Sequence, residues 1–557
     1  MSKDAPRTIV IVGGVAGGAS AAARARRCNE TARIILYEKD AHISFANCGL
    51  PYYIGGEIEQ REALLVASPN LFRDRFNVEV HTHHEVTAID RDAHTLEVRN
   101  GETGKSFTQA YDRLILAVGA SPIVPPVSGV DAPNVFTLRN LEDTDKIKAF
   151  IDKHKPRRAA VVGAGFIGLE MVEQLHRRGI ETALVELADQ VLAPLDPEMA
   201  HIIQETLEQR SVEIHLGDGL KAISLADGIA TGVELNSGTV LSADLVILGI
   251  GVRPNIKLAK EAGLELGPMG GVTVDEHMRT SDPRIYAVGD VVEVQHGVVG
   301  GPVRVPLAGP ANRAGRIAGQ HAGSDTSPTM TPVLGTAVVR VFDRTAATTG
   351  LSVKLARKLG REVRAAIILA KHHAGYFPGS QVMTLKLVYD PTSEKVLGAQ
   401  AVGGEGVDKR IDVIATAIHF GATVRDLAGL DLAYAPPFGS AKDPVHMVAF
   451  VACNDLDGLT PLCQVDEDLT GRQLVDVRTE QEVSRMRLGV ANHIPVDALR
   501  DRLGELDPSL PTVTVCHSGL RAHVAARILR QHGFETVTDL TGGMFMRRHA
   551  KPDEVLR

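Results

Sequence analysis

Ala159-Ala160-Val161-Val162-Gly163-Ala164-Gly165-Phe166-Ile167-Gly168 is a short apolar run that breaks into three glycines spaced G-x-G-x-x-G. The apolar run predicts a buried strand over 159–162, the glycines a tight turn, and 169–178 the helix that follows. The start of such a helix offers free backbone N–H groups and the positive end of its dipole to a pyrophosphate. The next strand, 182–185, ends in Glu186, where a carboxylate accepts from the ribose hydroxyls of NADH and opposes the 2′-phosphate of NADPH. Gly163, Gly165, Ile167, Gly168 and Glu186 are therefore the candidate NAD-binding residues.

The same pattern stands earlier in the chain. A strand over 8–12 runs into Gly13-Gly14-Val15-Ala16-Gly17-Gly18 and a helix over 19–27, and a second strand over 33–37 ends in Glu38. Val15 occupies the place of the middle glycine, so the match is incomplete, but the acidic residue lies at the right distance. Two such units, about 150 residues apart, are the pattern of a flavin domain interrupted by a nicotinamide domain. Gly13, Gly14, Ala16, Gly17, Glu38 and Lys39 are the first candidate FAD contacts. Thr280 to Asp290 adds a strand that ends in Gly289-Asp290.

At 557 residues the chain exceeds one hydrophobic core, and three or four domains are expected. The net charge is -8 with no long Lys/Arg tract, which excludes nucleic acid as the main partner. Met1 runs almost directly into a strand, without an apolar leader, and no membrane-length apolar run follows; a soluble, cytoplasmic protein is expected. Five scattered cysteines, Cys28, Cys48, Cys453, Cys463 and Cys516, make no disulfide framework and fit a reducing compartment.

Thr280 to Asp290, with Leu116-Ala117-Val118-Gly119-Ala120 and Gly249-Ile250-Gly251-Val252-Arg253-Pro254-Asn255, resembles the flavoprotein pyridine nucleotide-disulfide oxidoreductases over roughly 7–450. The resemblance implies that Asp290 meets the flavin ribitol, with Ala308 also on the flavin side. Cys48 lies alone in Ser44-Phe45-Ala46-Asn47-Cys48-Gly49-Leu50-Pro51-Tyr52, where most of that family carries a C-x4-C pair. A single redox cysteine completes its cycle with an external sulfur or with oxygen. The loop is similar to that of the coenzyme A disulfide reductases, and two tyrosines strengthen the likeness: Tyr376 in His373-Ala374-Gly375-Tyr376-Phe377-Pro378 and Tyr434 in Tyr434-Ala435-Pro436-Pro437-Phe438. The resemblance implies a homodimer in which both come from the partner subunit. It further implies a coenzyme A site of Ser20, Arg24 and Arg27 toward the nucleotide, Ser44 and Asn47 toward the thiol, and Asn312 and Lys442. A lysine common near position 76 is Phe76 here, so that either Arg75 substitutes or that phosphate contact is weaker.

Beyond strands over 337–342 and 383–389 and a helix over 411–420, the acidic, Gly- and Pro-containing stretch from 453 reads as a linker. Cys453 and Cys463 have no nearby Cys or His pair, and no metal site is expected. Strands over 473–477 and 512–515 follow, the second delivering Cys516-His517-Ser518-Gly519-Leu520-Arg521 to a helix over 522–531. A cysteine there sits among backbone N–H groups, with Arg521 adding charge, an environment that lowers a thiol's pKa and favours an anionic persulfide. With Asp476-Val477-Arg478 and Gly489-Val490-Ala491-Asn492-His493-Ile494-Pro495, this resembles a rhodanese domain. The family's frequent Gly-Gly-x-x-x-Trp is Gly542-Gly543-Met544-Phe545-Met546-Arg547 in a chain without tryptophan.

The expected architecture is α/β: FAD-binding over 1–120 and 250–328, NAD(H)-binding over 121–249, α+β dimerisation over 329–452, a linker over 453–466 and α/β rhodanese over 467–557. The expected activity is an NADH-consuming FAD reductase of sulfane sulfur and coenzyme A disulfide through Cys48, joined to a sulfurtransferase using Cys516, with coenzyme A as substrate or tight cofactor. An NADH oxidase or peroxidase cycling Cys48 through sulfenic acid is the alternative enzyme, and a flavin-based redox sensor the alternative from another class.

Overall fold

The structure is a computed structural model. It describes residues 6–489 and 491–556, so Val490 of the rhodanese-like motif lies outside the described residues. The chain divides into two compact units, residues 1–187 with 218–333, and residues 188–217 with 334–557.

The first unit repeats one theme. A five-stranded parallel sheet runs in the order Ile285–Ala287, Arg113–Leu116, Thr8–Val12, Arg33–Tyr37, Val78–His81. A second parallel array runs Val135–Thr137, Leu245–Leu248, Arg158–Val162, Glu181–Val185. Each has an antiparallel three-stranded meander attached, 84–110 in one case and 220–242 in the other. Ala120–Pro122 and Val252–Pro254 pair antiparallel where the chain leaves and re-enters the first fold. The central strands are buried on both faces, as parallel sheets require, and so read as continuous Ile, Val and Leu. Both nucleotide helices start earlier than their apolar spacing predicts, at Ala16–Cys28 and Phe166–Arg177, because the last glycines of each turn already belong to the first helical turn.

Helix Ala16–Cys28 lies against Ala308–Ser324 through small residues. A Cβ on Gly315 would stand 2.2 Å from Gly17 O, and one on Gly319 2.3 Å from Ala21 O. Glycines four apart on one face remove that obstacle and let the two backbones touch.

The second unit carries a five-stranded antiparallel sheet in the order Ala337–Val341, Arg344–Gly350, Val396–Gly403, Val382–Tyr389, Arg364–Lys371. Helices Val407–His419 and Pro444–Leu456 accompany it. A parallel sheet follows in the order Leu462–Cys463, Val537–Leu540, Thr512–Val515, Gln473–Asp476, Asn492–His493. The stretch read as a linker is thus structured: a helix runs through Cys453 to Leu456, and Cys463 lies buried in an edge strand. Two of its acidic residues are anchors rather than solvated charge. Asp455, almost wholly buried, binds Arg364 and the Tyr389 hydroxyl, and Asp466 binds Arg357. Segment 188–217 contributes Asp196 and Glu198, which meet the fully buried Lys386 ammonium at 2.7 and 2.5 Å.

Candidate active sites

The two glycine turns are built alike. Gly13 and Gly163 hold φ of +93° and +106°, and a Cβ on either would come within 2.4 Å of a carbonyl oxygen on the neighbouring strand's exit. Gly18 and Gly168 sit so close to Gly13 O and Gly163 O that a Cβ would be at 1.8 Å. Gly18 was not among the sequence candidates, yet it fills the third-glycine role in the first turn. The Gly165 Cα faces open space, the cradle a pyrophosphate needs. Glu38 Oε2 accepts from Gly14 N–H at 2.9 Å, and Glu186 Oε2 from Ala164 N–H at 2.6 Å, which aims both carboxylates at the turn ahead of them. Burial pushes the Glu38 carboxyl above its ordinary pKa. Both turns therefore fit a dinucleotide. Asp290 occupies the short turn Gly289–Val291 after strand Ile285–Ala287, where burial raises its pKa and Arg139 opposes the rise. Lys39 and Ala308 are exposed.

Cys48 sits in a one-turn helix, Asn47–Gly49, between the short strand Ser44–Phe45 and helix Leu50–Gly55, which begins with Pro51 in its first turn. Its thiol is exposed. Burial of its surroundings, then the Glu170 carboxylate, then Asp290 push its pKa above the ordinary thiol value. Glu170 lies on the second nucleotide helix and accepts from the Tyr52 hydroxyl at 3.0 Å. The sequence reading missed Glu170, although its place two residues past Gly168 was the available signal.

The structure brings Ser20 and Asn312 together, with a 2.6 Å hydrogen bond across the close helix pair. Arg24 is held by Gln320, and the Arg27 guanidinium lies 5.3 Å from the Phe76 ring centre. Phe76 thus supports a nearby arginine where the family's lysine is missing, and Arg75 is exposed. Ser44 is buried and Asn47 exposed.

In the second unit the Tyr376 and Tyr434 hydroxyls meet at 3.0 Å, although both rings are exposed. Two loops are held for this: Ala374 N–H donates to Gly439 O at 2.8 Å, and buried Arg410 binds Asp443 and the His372 carbonyl. The contact with Tyr434 raises the Tyr376 pKa. Lys442, beside them in sequence, is exposed.

Cys516 follows strand Thr512–Val515 and is buried; its Sγ accepts from Gly519 N–H at 3.1 Å. Helix Leu520–Gln531 starts two residues earlier than expected, since Gly519, at φ +107°, turns the chain directly into it. Helix Gly543–Ala550 donates its Met544 and Phe545 N–H groups to the Cys516 and His517 carbonyls at 2.8 and 3.1 Å. Asp476 and Arg478 form a buried ion pair, and His493 Nε2 meets Arg478 O at 2.9 Å, so both motif segments brace the strand ends. Arg521 stands beside Cys516, as its added charge requires, and is also paired: Glu482 binds its guanidinium twice, at 2.7 and 2.6 Å. That pair holds the Glu482 carboxyl at a pKa of about 2. Glu482 is a residue the sequence reading missed; Thr479-x-x-Glu482, a capping box, was the available signal.

Three comparisons bear on this arrangement. Residues 7–315 match the family described as pyridine nucleotide-disulphide oxidoreductase, 336–444 its dimerisation domain, and 464–546 the rhodanese-like domain. The chain belongs to the pyridine nucleotide-disulphide oxidoreductase family. A coenzyme A disulfide reductase of Staphylococcus haemolyticus is 36% identical over 80% of this chain and 99% of its own. The crystal structure of reduced Bacillus anthracis CoADR-RHD superposes with a TM-score of 0.95 at 45% identity, covering 99% of each chain. A NAD-dependent persulfide reductase from A. fulgidus gives 0.91 at 38% identity, covering 97% of this chain and 99% of its own. No described helix is long and apolar enough to cross a membrane.

Proposed function

We propose that this chain is an NADH-dependent flavoprotein reductase of persulfide and disulfide sulfur, with coenzyme A persulfide, polysulfide and coenzyme A disulfide as its substrate class, fused to a sulfurtransferase. The observation that carries the reading is one exposed cysteine on the Asn47–Gly49 turn, and a second cysteine, buried, among backbone N–H groups at a strand end. It is supported by relatives that share both halves.

Bound at the Gly13 and Gly163 turns, FAD and NADH supply a hydride and hence the electron pair that reduces sulfur. The residues do the rest. The Cys48 sulfur attacks the sulfane sulfur of R–S–SH, forming Cys48–S–SH and releasing the thiolate R–S⁻. Two electrons then cleave that S–S bond, giving Cys48 thiolate and hydrosulfide. A disulfide R–S–S–R runs the same way, with a second R–S⁻ in place of hydrosulfide. Tyr376 and Tyr434, contributed across a homodimer, donate a proton to the leaving sulfur through their paired hydroxyls. Ser20, Asn312, Arg24 and Arg27 offer donors to the nucleotide end of coenzyme A, Ser44 and Asn47 flank the thiol end, and Lys442 adds a cation. Cys516 takes a sulfane sulfur as its own persulfide, releasing the donor's thiolate, and Gly519 N–H is placed to stabilise it.

The test is anaerobic NADH consumption by the flavin-loaded protein with coenzyme A persulfide, polysulfide and coenzyme A disulfide at equal concentration, hydrosulfide being followed in parallel. Hydrosulfide release with persulfide or polysulfide is expected, abolished in Cys48→Ser with flavin retained. Cys516→Ser is expected to lose sulfur transfer while reducing a free disulfide normally. Undiminished persulfide turnover in Cys48→Ser would refute the mechanism.

A further inference from the structure

Away from both sulfur sites, the described residues contain one group of three metal-ligating side chains. His201 and Glu205 stand four apart, on one face of helix Pro197–Gln209; His549 comes from helix Gly543–Ala550. The ligand atoms of the three lie within 4.8 Å of one another. With Glu205 and His549 344 positions apart, no spacing in the sequence could reveal them.

Each side chain is arranged as a ligand would be. His201 Nδ1 lies 3.2 Å from the His549 carbonyl, so that nitrogen carries the proton and Nε2 keeps its lone pair outward. A second hydrogen bond of this kind is what fixes the tautomer of metal-bound histidines. Glu205 gives Oε2 to Arg548 Nη2 at 3.1 Å, leaving Oε1 at 3.7 Å from His549 Nδ1. The His549 side chain is wholly buried, and its Nδ1 has no hydrogen-bond partner.

We propose that His201, Glu205 and His549 form a site for a divalent ion of the zinc type. Two imidazoles and a carboxylate suit Zn²⁺, with water in the fourth place. Arg548 is the built-in competitor. Its Nε and Nη2 lie 3.3 and 3.4 Å from His549 Nε2, and ligation through Nδ1 moves the ring proton to Nε2, so the guanidinium must withdraw from it. It has somewhere to go: its side chain is 31% exposed, and it keeps Glu205 Oε2 and the Phe545 ring, 4.9 Å away. The ion would tie helix Pro197–Gln209 to the helix whose first N–H groups hold the Cys516 and His517 carbonyls, and so stiffen the seat of the sulfurtransferase loop.

The test uses the flavin-loaded, full-length protein carrying Cys48→Ser and Cys516→Ser, so that the reactive thiols do not take the metal. Zn²⁺ is titrated against a chromophoric chelator, and Co²⁺ reports the ligands by its absorption. One ion per chain is expected, without a sulfur-to-cobalt charge-transfer band. His201→Ala and Glu205→Gln, both on a partly exposed face, should each lose more than the roughly 10–100-fold that removal of an outer-shell partner costs. Arg548→Met should tighten binding. Zinc should raise the melting temperature of the parent and leave that of His201→Ala unchanged. No stoichiometric binding, a sulfur signature, or equal affinity in the parent and both ligand variants overturns the site; unchanged affinity in Arg548→Met overturns the competitor role.

Discussion

Gly319→Ala is the sharpest test of how helices Ala16–Cys28 and Ala308–Ser324 are assembled. The added Cβ would stand 2.3 Å from Ala21 O and 2.8 Å from Ala21 Cα, both backbone atoms that no rotamer change can move. Ordinary contact needs about 3.5 Å, so helices Ala16–Cys28 and Ala308–Ser324 must part by roughly 1 Å. That carries the Ser20–Asn312 hydrogen bond from 2.6 Å past the hydrogen-bonding range. Overpacking costs about 1–3 kcal/mol and the lost bond about 0.5–1.5, while replacing glycine inside a helix returns up to about 1, a net loss of roughly 0.5–4.5 kcal/mol with a middle value of about 2.5. At roughly 2–4 °C per kcal/mol for a large domain, the middle value lowers the melting temperature by about 5–10 °C. Gly323→Ala is the graded control: its nearest obstacle, Ala25 O, is at 3.1 Å, so the small clash and the helix gain should nearly cancel. Calorimetry of the flavin-loaded protein, with flavin fluorescence reporting release, reads both. A Gly319→Ala protein that melts at or above the parent, or above Gly323→Ala, refutes the close-packed helix pair.

Three further substitutions test the second unit. Glu482→Gln should cost about 0.5–1 kcal/mol at neutral pH, discounted because the pair is a third exposed; the folded carboxyl's pKa of about 2 is depressed, so this difference is complete above the ordinary value and disappears as pH falls toward 2, and urea unfolding at pH 7 and pH 3.5 should show it shrinking. Asp539 is wholly buried with Oδ1 unpartnered, and burial pushes its pKa far up. A raised carboxyl destabilises the fold as pH rises, so Asp539→Asn should gain on the parent from pH 5 to pH 8, and a pH-independent difference would contradict this. Lys386→Met leaves Asp196 and Glu198 buried without their cation and should cost about 3–5 kcal/mol by chemical denaturation; a loss under about 1 kcal/mol would mean the cluster is not desolvated as its burial indicates.

The parts legible in the sequence are those in which chemistry and position lie within one short segment. Gly163 to Gly168 needs no distant partner to be recognised, since the positive φ, the close carbonyl and the helix start all follow from three glycines in six residues. The Cys516 loop is equally local: its strand, its turn at Gly519 and its helix are consecutive. Charge is a different matter. By composition the acid-rich 453–468 stretch reads as a linker, and by its place in the loop Arg521 reads as charge beside Cys516; neither reading names a charge partner. In the fold two of these charges have distant partners, Glu482 for Arg521 and Arg364 for Asp455, brought from 39 and 91 residues away.

The same reasoning explains the glycines of helix Ala308–Ser324. Gly315, Gly319 and Gly323 repeat every four residues in plain view, but a small-residue stripe has meaning only when its partner is known. The partner is Ala16–Cys28, whose own Gly17, Ala21 and Ala25 provide the complementary face nearly 300 residues earlier. What brings these helices together is the return of the chain through Ile285–Ala287 to the edge of the first sheet. The second parallel array is therefore an insertion, and Ser20 and Asn312 become one polar site only because the chain that leaves the first fold at Ala120–Pro122 is paired on its way back with Val252–Pro254.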